Sequence, residues 1–475
     1  MCLTQDKRMM KNCYRKNRSF FLTGLLFFAL LFNLSCSDDK DFETGGREPD
    51  TGEVPEETLF LPLIEISSNG QIVDEPKVRS TMKITEQGKV TYEGIAGIEI
   101  RGASSQMFDK KSYGLETWDN NNEDINVSLL GMPEEEDWVL HGPYSDKSLM
   151  RNKLIYDLAS DMGRYASRTR FVELIINGTF KGVYVFMEKL KRNKNRIAIA
   201  KLKPEENSGE DLTGGYILKI DKIAGSNVGS GYNSQNSFAS KIPPPYAGTG
   251  EIRFLYEYPD AEEISSDQKN YIKQYVHDFE AALASDDFKD PDTGYRAYVD
   301  VESFIDFFIL NEISHNVDGY RLSTFMHKDK NGKLNMGPIW DFNLAFGNAD
   351  YCGGGNTDTW AYRFNERCPG DFWSVPFWWY RLLEDPYFVD KLKTRWIEYR
   401  SNVLSNQAVL GRITNYEKEM QDVDAINRNF SKWAIIGKWI WPNNFVGTTY
   451  ESERIYVEQW IVDRMSWLDD SMDDL

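Results

Sequence analysis

Histidine and cysteine are both scarce, at four and five residues in a chain of 475. His141, His277, His315 and His327 show no zinc-ligand spacing, which argues against a hydrolytic zinc centre. No Gly-x-Ser-x-Gly elbow occurs and no Ser/His/Asp triad can be assembled. Positive charge is also in deficit: 55 Lys+Arg stand against 74 Asp+Glu, a net of −19. Such a surface disfavours nucleic acid, whose affinity rests on Lys and Arg neutralising phosphates. Any nucleotide site must therefore build its own positive pocket, helped by a divalent ion. What the chain has in plenty is apolar and aromatic surface, 41% and 14% of residues, enough for a packed core. Its 13 tryptophans and 25 tyrosines lean toward an extracytoplasmic or glycan-contacting protein.

The N-terminus reads as an export signal. Six basic residues between Lys7 and Arg18 precede an apolar run over 20–34, which is shorter than a spanning helix and ends at Ser35-Cys36. Residues 1–35 are expected to be a signal peptide. Cys36 resembles the lipidated first residue of a bacterial lipoprotein, although Asn33 departs from the usual aliphatic residue. An uncleaved membrane anchor is the alternative. Ser37-Asp38-Asp39-Lys40-Asp41 resembles the acidic export tag of surface lipoproteins; a charged linker explains the same residues. The expected location is extracytoplasmic, lipid-anchored to the outer membrane and facing the cell surface, with the anchor as the sole membrane contact. Residues 36–58, rich in Asp, Glu, Gly and Pro, read as a flexible tether. With Cys2 and Cys13 in the leader and Cys36 lipidated, Cys352 and Cys368 remain. An oxidising compartment favours their pairing over two free thiols, and the bridge is worth ~3 kcal/mol by the chain-entropy model.

From residue 59 the text changes to short alternating runs separated by Asn-Gly and Gln-Gly turn signals. Strands are predicted over 60–66, 81–84, 97–100 and 216–220, with a hairpin over 171–189 turning at Asn177-Gly178. Helical spacing is predicted over 147–162, 267–284 and 301–313, the last capped by Asp300. Residues 225–250, rich in Gly, Ser, Asn and Pro, read as a loop. Strands first and helices later predict an α+β fold, a main domain over 59–400 and a helical C-terminal extension over 401–475 packed on it.

Four segments carry candidate chemistry. Arg101-Gly102-Ala103-Ser104-Ser105 is a small-residue turn after a strand, able to bring backbone N–H groups to phosphate oxygens or simply to turn. Lys110 and Lys111 follow; in a strand they point to opposite faces, so at most one can aim at phosphates. Arg151-Asn152 opens a helix, where an arginine can serve a phosphate or a surface ion pair. Tyr184, Phe186 and Glu188 share a strand face, which suits adenine and a lysine partner, or a core tyrosine beside an exposed acid. The densest segment is 316–347. Asp318 sits just past a buried helix, and a hairpin-like stretch then delivers Trp340, Asp341 and Asn343. Asp341 and Asn343 offer oxygen ligands for a hard cation, and Asp318 can orient a nucleophile. Acids after a helix and a strand are also common caps.

These segments, in this order and together with Asp137-Trp138, Asp146-Lys147, Ile176-Asn177-Gly178 and Gly182-Val183-Tyr184, resemble the spore coat protein H (CotH) kinase family over roughly residues 95–350. The resemblance implies an atypical protein kinase-like fold with a strand-rich N-terminal and a helix-rich C-terminal part. It further implies ATP and Mg²⁺ or Mn²⁺ as cofactors, and Ser or Thr of a secreted or surface protein as acceptor. In that scheme Asp318 is base or second metal ligand, and Asp341 and Asn343 hold the metal. Arg101, Ser104, Ser105, Lys110 or Lys111, Arg151, Asn152, Tyr184, Glu188 and Trp340 form the nucleotide site. Two positions depart from the family: Asp109 stands where proline is expected, and Asn343 where a second aspartate is common. The competing reading is a non-catalytic cell-surface module for glycan or protein adhesion that reuses the fold.

Overall fold

Alternation decides the N-terminal half. Ile64 and Ile66, Met82 and Ile84, and Ala96 and Ile98 fall on one face of three successive strands, and all six are buried. These strands are β1 (Leu63–Ser68), β2 (Val78–Glu86) and β3 (Lys89–Arg101). With β4 (Ser112–Trp118), β5 (Asp137–His141), β6 (Thr169–Ile176) and β7 (Thr179–Glu188) they close a barrel in the order β1-β2-β3-β4-β5-β7-β6. All neighbours are antiparallel except the closing β1–β6 pair, which is parallel. Closure leaves no free edge, and Trp138, Leu140, Leu174 and Phe186 help fill the interior. The computed structural model describes residues 60–223, 231–248 and 250–475. The expected signal peptide, Cys36 and the tether lie outside these described residues.

A second, five-stranded sheet follows, ordered β12-β11-β8-β10-β9. Its strands are β8 (Tyr216–Ile220), β9 (Ser237–Ala239), β10 (Arg253–Tyr258), β11 (Thr324–Lys328) and β12 (Leu334–Met336). Strand β9 falls inside the stretch expected to be a loop. Phe238 explains it: this large apolar residue, set in polar text, is buried against Phe254 and Tyr256. Three residues are too few for an alternation to announce.

The longer helices are α1 (Arg151–Asp161), α2 (Ser266–Ala284), α3 (Val301–Ser314), α4 (Pro386–Arg400), α5 (Asn406–Gln421), α6 (Ala425–Lys432) and α7 (Tyr450–Asp473). Helix α1 starts four residues later than its spacing predicts. The Asp146 carboxylate accepts from the Ser148 and Arg151 N–H groups, and Leu149 takes φ 69°, so 146–150 form a turn that ends where the helix begins. Asp300 caps α3 as expected, accepting from Ser303 N at 2.7 Å. Every residue of α3 from Ser303 onward is buried, so the helix is the axle of the C-terminal half. Helices beyond residue 400 share its core: Val409, Ile413, Met420, Val457, Ile461, Met465 and Leu468 pack in one cluster with Phe304, Phe308 and Ile309. Inside that core Arg464 and Glu312 form an ion pair at 3.0 Å with both side chains fully buried. Cys352 and Cys368 are joined by a disulfide. Among the described residues, no helix is long and apolar enough to cross a membrane.

Candidate active site

A cleft of about 430 Å³ takes its wall from the barrel strands β3, β4 and β5 and its floor from the second sheet and the loops after α3 and β12. Several of its polar side chains stand at or just past an element's end, where a rigid scaffold aims them. Arg101 ends β3, and the turn through Gly102, Ser104 and Ser105 forms the lip. Gly102 has φ 102°, and a side chain there would collide with Ser105 Oγ, so only glycine makes this turn. Asp221 and Lys222 leave β8, Asp318 follows α3, and Trp340, Asp341 and Asn343 follow β12.

Of the carboxylates that line this space, Asp221, Asp318 and Asp341 stand on the side of the second sheet and the loops after α3 and β12. Arg321, itself 2% exposed, fixes Asp318: its Nη2 donates to Oδ1 at 2.9 Å while its Nε donates to the Val317 carbonyl at 2.7 Å. Tyr351 Oη lies 3.5 Å from the same oxygen. The pKa of Asp221 is raised by burial and by Asp318, against the pull of Lys219 and of the Lys222 and Ser323 N–H groups. Asp341 is open to solvent through the cleft yet surrounded by protein on its other sides. That enclosure, with Asp318 and Asp221 adding repulsion, lifts its pKa to about 6 against the pull of Arg101 and Lys222. Asp341 is also held at φ 62°, a left-handed conformation that costs a non-glycine residue about 1 kcal/mol.

Cations balance the acids. Arg101 lies over the Trp340 ring at 5.5 Å. Burial works against the charge of Lys219, but Glu257 at 2.8 Å and Asp221 outweigh it, and its pKa rises. Lys222 sits over Trp373 at 4.7 Å. Leu115, Val139, Leu190 and Phe325, all nearly buried, supply the apolar part of the cleft lining.

The expected site residues divide. Arg101, Ser104, Ser105, Asp318, Trp340, Asp341 and Asn343 line the cleft. The others lie off it. Lys110 is buried beneath α6, donating to Asn429 Oδ1 at 2.9 Å and lying over the Tyr184 ring. Lys111 donates to the Gln106 carbonyl. Arg151 is held by Asp146 at 2.6 Å, and Asn152 accepts from Phe342 N at 2.7 Å. Tyr184 is fully buried and donates to the Lys111 carbonyl; Glu188 is buried beside Arg168, Arg196 and Tyr165. Sequence reasoning missed Lys219, Asp221, Lys222 and Glu257. A Lys-Ile-Asp-Lys run leaving a predicted strand was a usable signal for the first three; nothing local marked Glu257.

The donor set suits a divalent ion. Two or three carboxylates and the Asn343 amide oxygen are hard ligands of the Mg²⁺ and Mn²⁺ type; the pKa of Asp341 is raised first by burial and then by Asp318 and Asp221, whose repulsion a cation would relieve. Among the described residues, the acidic trio with ligand atoms within 4.8 Å of one another is Glu135, Glu136 and Asp137; of these Asp137 borders the cleft, and Lys191 Nζ occupies the trio at 2.5–3.1 Å. Asp221, Asp318 and Asp341 do not form so tight a group. That spacing fits an ion which keeps several waters and takes one or two protein carboxylates plus substrate oxygens.

The repulsion has a consequence for stability. A carboxyl whose pKa rises on folding makes the folded state weaker once it ionises. The penalty is absent below about pH 4, grows up to pH 6 and is complete above it. Asp341→Asn is therefore expected to stabilise the metal-free protein by about 1–2 kcal/mol at pH 7.5, after allowance for solvent access, and not at pH 4. Urea midpoints at the two pH values check this.

A family model described as CotH kinase protein matches residues 98–468. The chain belongs to the CotH family. The match covers the cleft and runs through helices α4, α5, α6 and most of α7, well past the stretch whose motifs carry the resemblance. The chain is also similar to the inner spore coat protein H of Bacillus subtilis (strain 168), 30% identical over 117 residues. That segment is 25% of this CotH-family chain and 28% of the relative, so the two are aligned over about a quarter of either.

Proposed function

We propose that this chain is a metal-dependent phosphotransferase of the CotH type that moves the γ-phosphate of ATP to a Ser or Thr hydroxyl of a secreted or surface protein. The observation that carries the reading is the meeting of Asp318, Asp341 and Asn343 with Arg101 in one cleft. Little covalent chemistry is asked of the protein in such a transfer; positioning and charge do most of it. Arg101, Lys219 and Lys222 bind and orient the phosphates, and the apolar surface around Leu115, Val139 and Phe325 takes the base. Asp318, held by Arg321, aligns the acceptor hydroxyl and takes its proton as the new P–O bond forms and ADP leaves. Asp341 and Asn343 would hold Mg²⁺ or Mn²⁺, which supplies neutralisation of the phosphate charge when bound. The disulfide and the name of the Bacillus relative support an extracytoplasmic place of work. There Cys36 would be the lipid anchor, at an outer membrane with the domain facing the cell surface.

Calorimetric titration with ATP tests the site. Binding is expected with Mg²⁺ or Mn²⁺ present and to weaken at least tenfold without either. No nucleotide binding under any of these conditions contradicts the reading. Asn343→Asp adds a second anionic ligand, and the extra charge is expected to tighten Mn²⁺ binding on the order of tenfold. A manganese titration followed by electron paramagnetic resonance checks it.

A further inference from the structure

The left-handed turn at Asp341 is held from behind by a single helix face. Asn152 and Tyr156 are four residues apart on α1 and therefore share one face. Both are buried, at 4% and 1% exposure. Tyr156 Oη accepts the Asp341 N–H at 3.0 Å, and Asn152 Oδ1 accepts the Phe342 N–H at 2.7 Å. The two bonds pin consecutive amides of the segment whose side chain enters the cleft. Tyr156 also stacks on Trp340 with centroids 6.2 Å apart and planes 20° apart, and Arg101 lies on that tryptophan. The helix cannot yield easily, because Leu154, Ile155 and Leu158 on it are buried in the main core. Its start is locked too, by the Arg151–Asp146 pair and the donation of Arg151 to the Phe346 carbonyl.

We infer that Asn152 and Tyr156 are positioning residues for the cation site, holding the Asp341 backbone in its left-handed turn so that the carboxylate faces the cleft before any ion arrives. The inference rests on the proposed cation site and adds what presets it. Neither residue lines the cleft, and neither touches substrate. Both act through the Asp341 and Phe342 amides. Partners of this kind, one step behind the ligands, typically change metal affinity 10–100-fold when removed. Trp340 extends the device: wedged between Tyr156 and Arg101, it ties the arginine on the barrel side to the turn that carries the carboxylate.

The test is Mn²⁺ titration of the full chain, wild type against Tyr156→Phe, Asn152→Ala and Asn152→Asp. It is accompanied by hydrogen exchange at the Asp341 and Phe342 amides in the metal-free protein. Tyr156→Phe and Asn152→Ala are expected to weaken Mn²⁺ roughly 10-fold or more. Asn152→Asp keeps the acceptor oxygen and is expected to stay within threefold of wild type. Exchange of the Phe342 amide speeds up in Asn152→Ala, and ATP binding measured without a cation stays within twofold in all variants. Wild-type affinity in both deletion variants overturns the inference and leaves the cation site standing. Parallel loss of Mn²⁺ and of cation-free ATP binding also overturns it, since that marks general damage to the fold. A wild-type chain that binds no Mn²⁺ removes the cation site itself, and the inference with it.

Discussion

Asp341→Ala and Asp318→Ala are each expected to cut phosphotransfer by about 10³-fold or more, with different signatures. The alanine at 341 removes a carboxylate whose ionisation burial, Asp318 and Asp221 already disfavour, so no favourable charge interaction of the fold is lost with it. What is lost is the ligand that draws a cation into the cleft. Mn²⁺ binding, cation-dependent ATP binding and turnover should fall together. At Asp318 the expected loss is in kcat. Its carboxylate is fixed by Arg321 and lies beside Tyr351, and removing a positioned general base typically costs 10²–10⁴-fold. Nucleotide binding should survive that change. Steady-state kinetics beside calorimetry separates the two. If Asp318→Ala abolishes Mn²⁺ binding as fully as Asp341→Ala does, Asp318 is a metal ligand and not the base.

Arg464→Met carries the largest expected effect on stability. Arg464 binds Glu312 through Nη2 at 3.0 Å and through Nε to its carbonyl at 2.7 Å, and reaches the Thr357 and Thr359 carbonyls with Nη1. Glu312 also accepts from the Ala361 and Tyr362 N–H groups and from Tyr320 Oη. Burial pushes the Glu312 pKa up, and Arg464 with these donors opposes the rise. The methionine fills a similar volume but leaves a buried carboxylate without its counter-charge. The expected loss is 3–5 kcal/mol, read from urea unfolding. The double variant Arg464→Met/Glu312→Leu should recover most of it, because an apolar pair needs no compensation. Arg412→Ala, which breaks a pair with Asp161 nearer the surface, should cost less than 1 kcal/mol. Equal losses in the two single variants would show that the buried pair is not special.

The parts of this site that could be read beforehand follow from how far their causes lie along the chain. Asp318 and Asp341 were legible because local pattern places them: a helix with apolar residues at core spacing and an Asp300 cap predicts a rigid loop after it, and Lys330-Asn331-Gly332 predicts the hairpin that returns to Asp341. The Asn177-Gly178 hairpin was legible for the same reason, both residues taking the positive φ that such a turn demands. Lys110 is the opposite case. Periodicity allows one of two adjacent lysines to face a phosphate, but it cannot foresee Asn429, 319 residues on, taking the Lys110 ammonium beneath α6. Arg151 likewise reads as a surface or phosphate residue until Asp146 and the Phe346 carbonyl enclose it. Trp441 reaches the cleft from a segment expected to be an extension, where it stacks against Tyr351 at 6.2 Å. Only tertiary packing brings those residues together.

The most direct measurement is single-turnover transfer of label from [γ-³²P]ATP, with Mg²⁺ or Mn²⁺, to the chain itself and to a panel of Ser/Thr-bearing proteins. The account predicts alkali-labile, acid-stable phosphate on serine or threonine. The transfer should need the cation and vanish in Asp318→Ala and Asp341→Ala. Transfer that persists in both variants, or that ignores the cation, would contradict it.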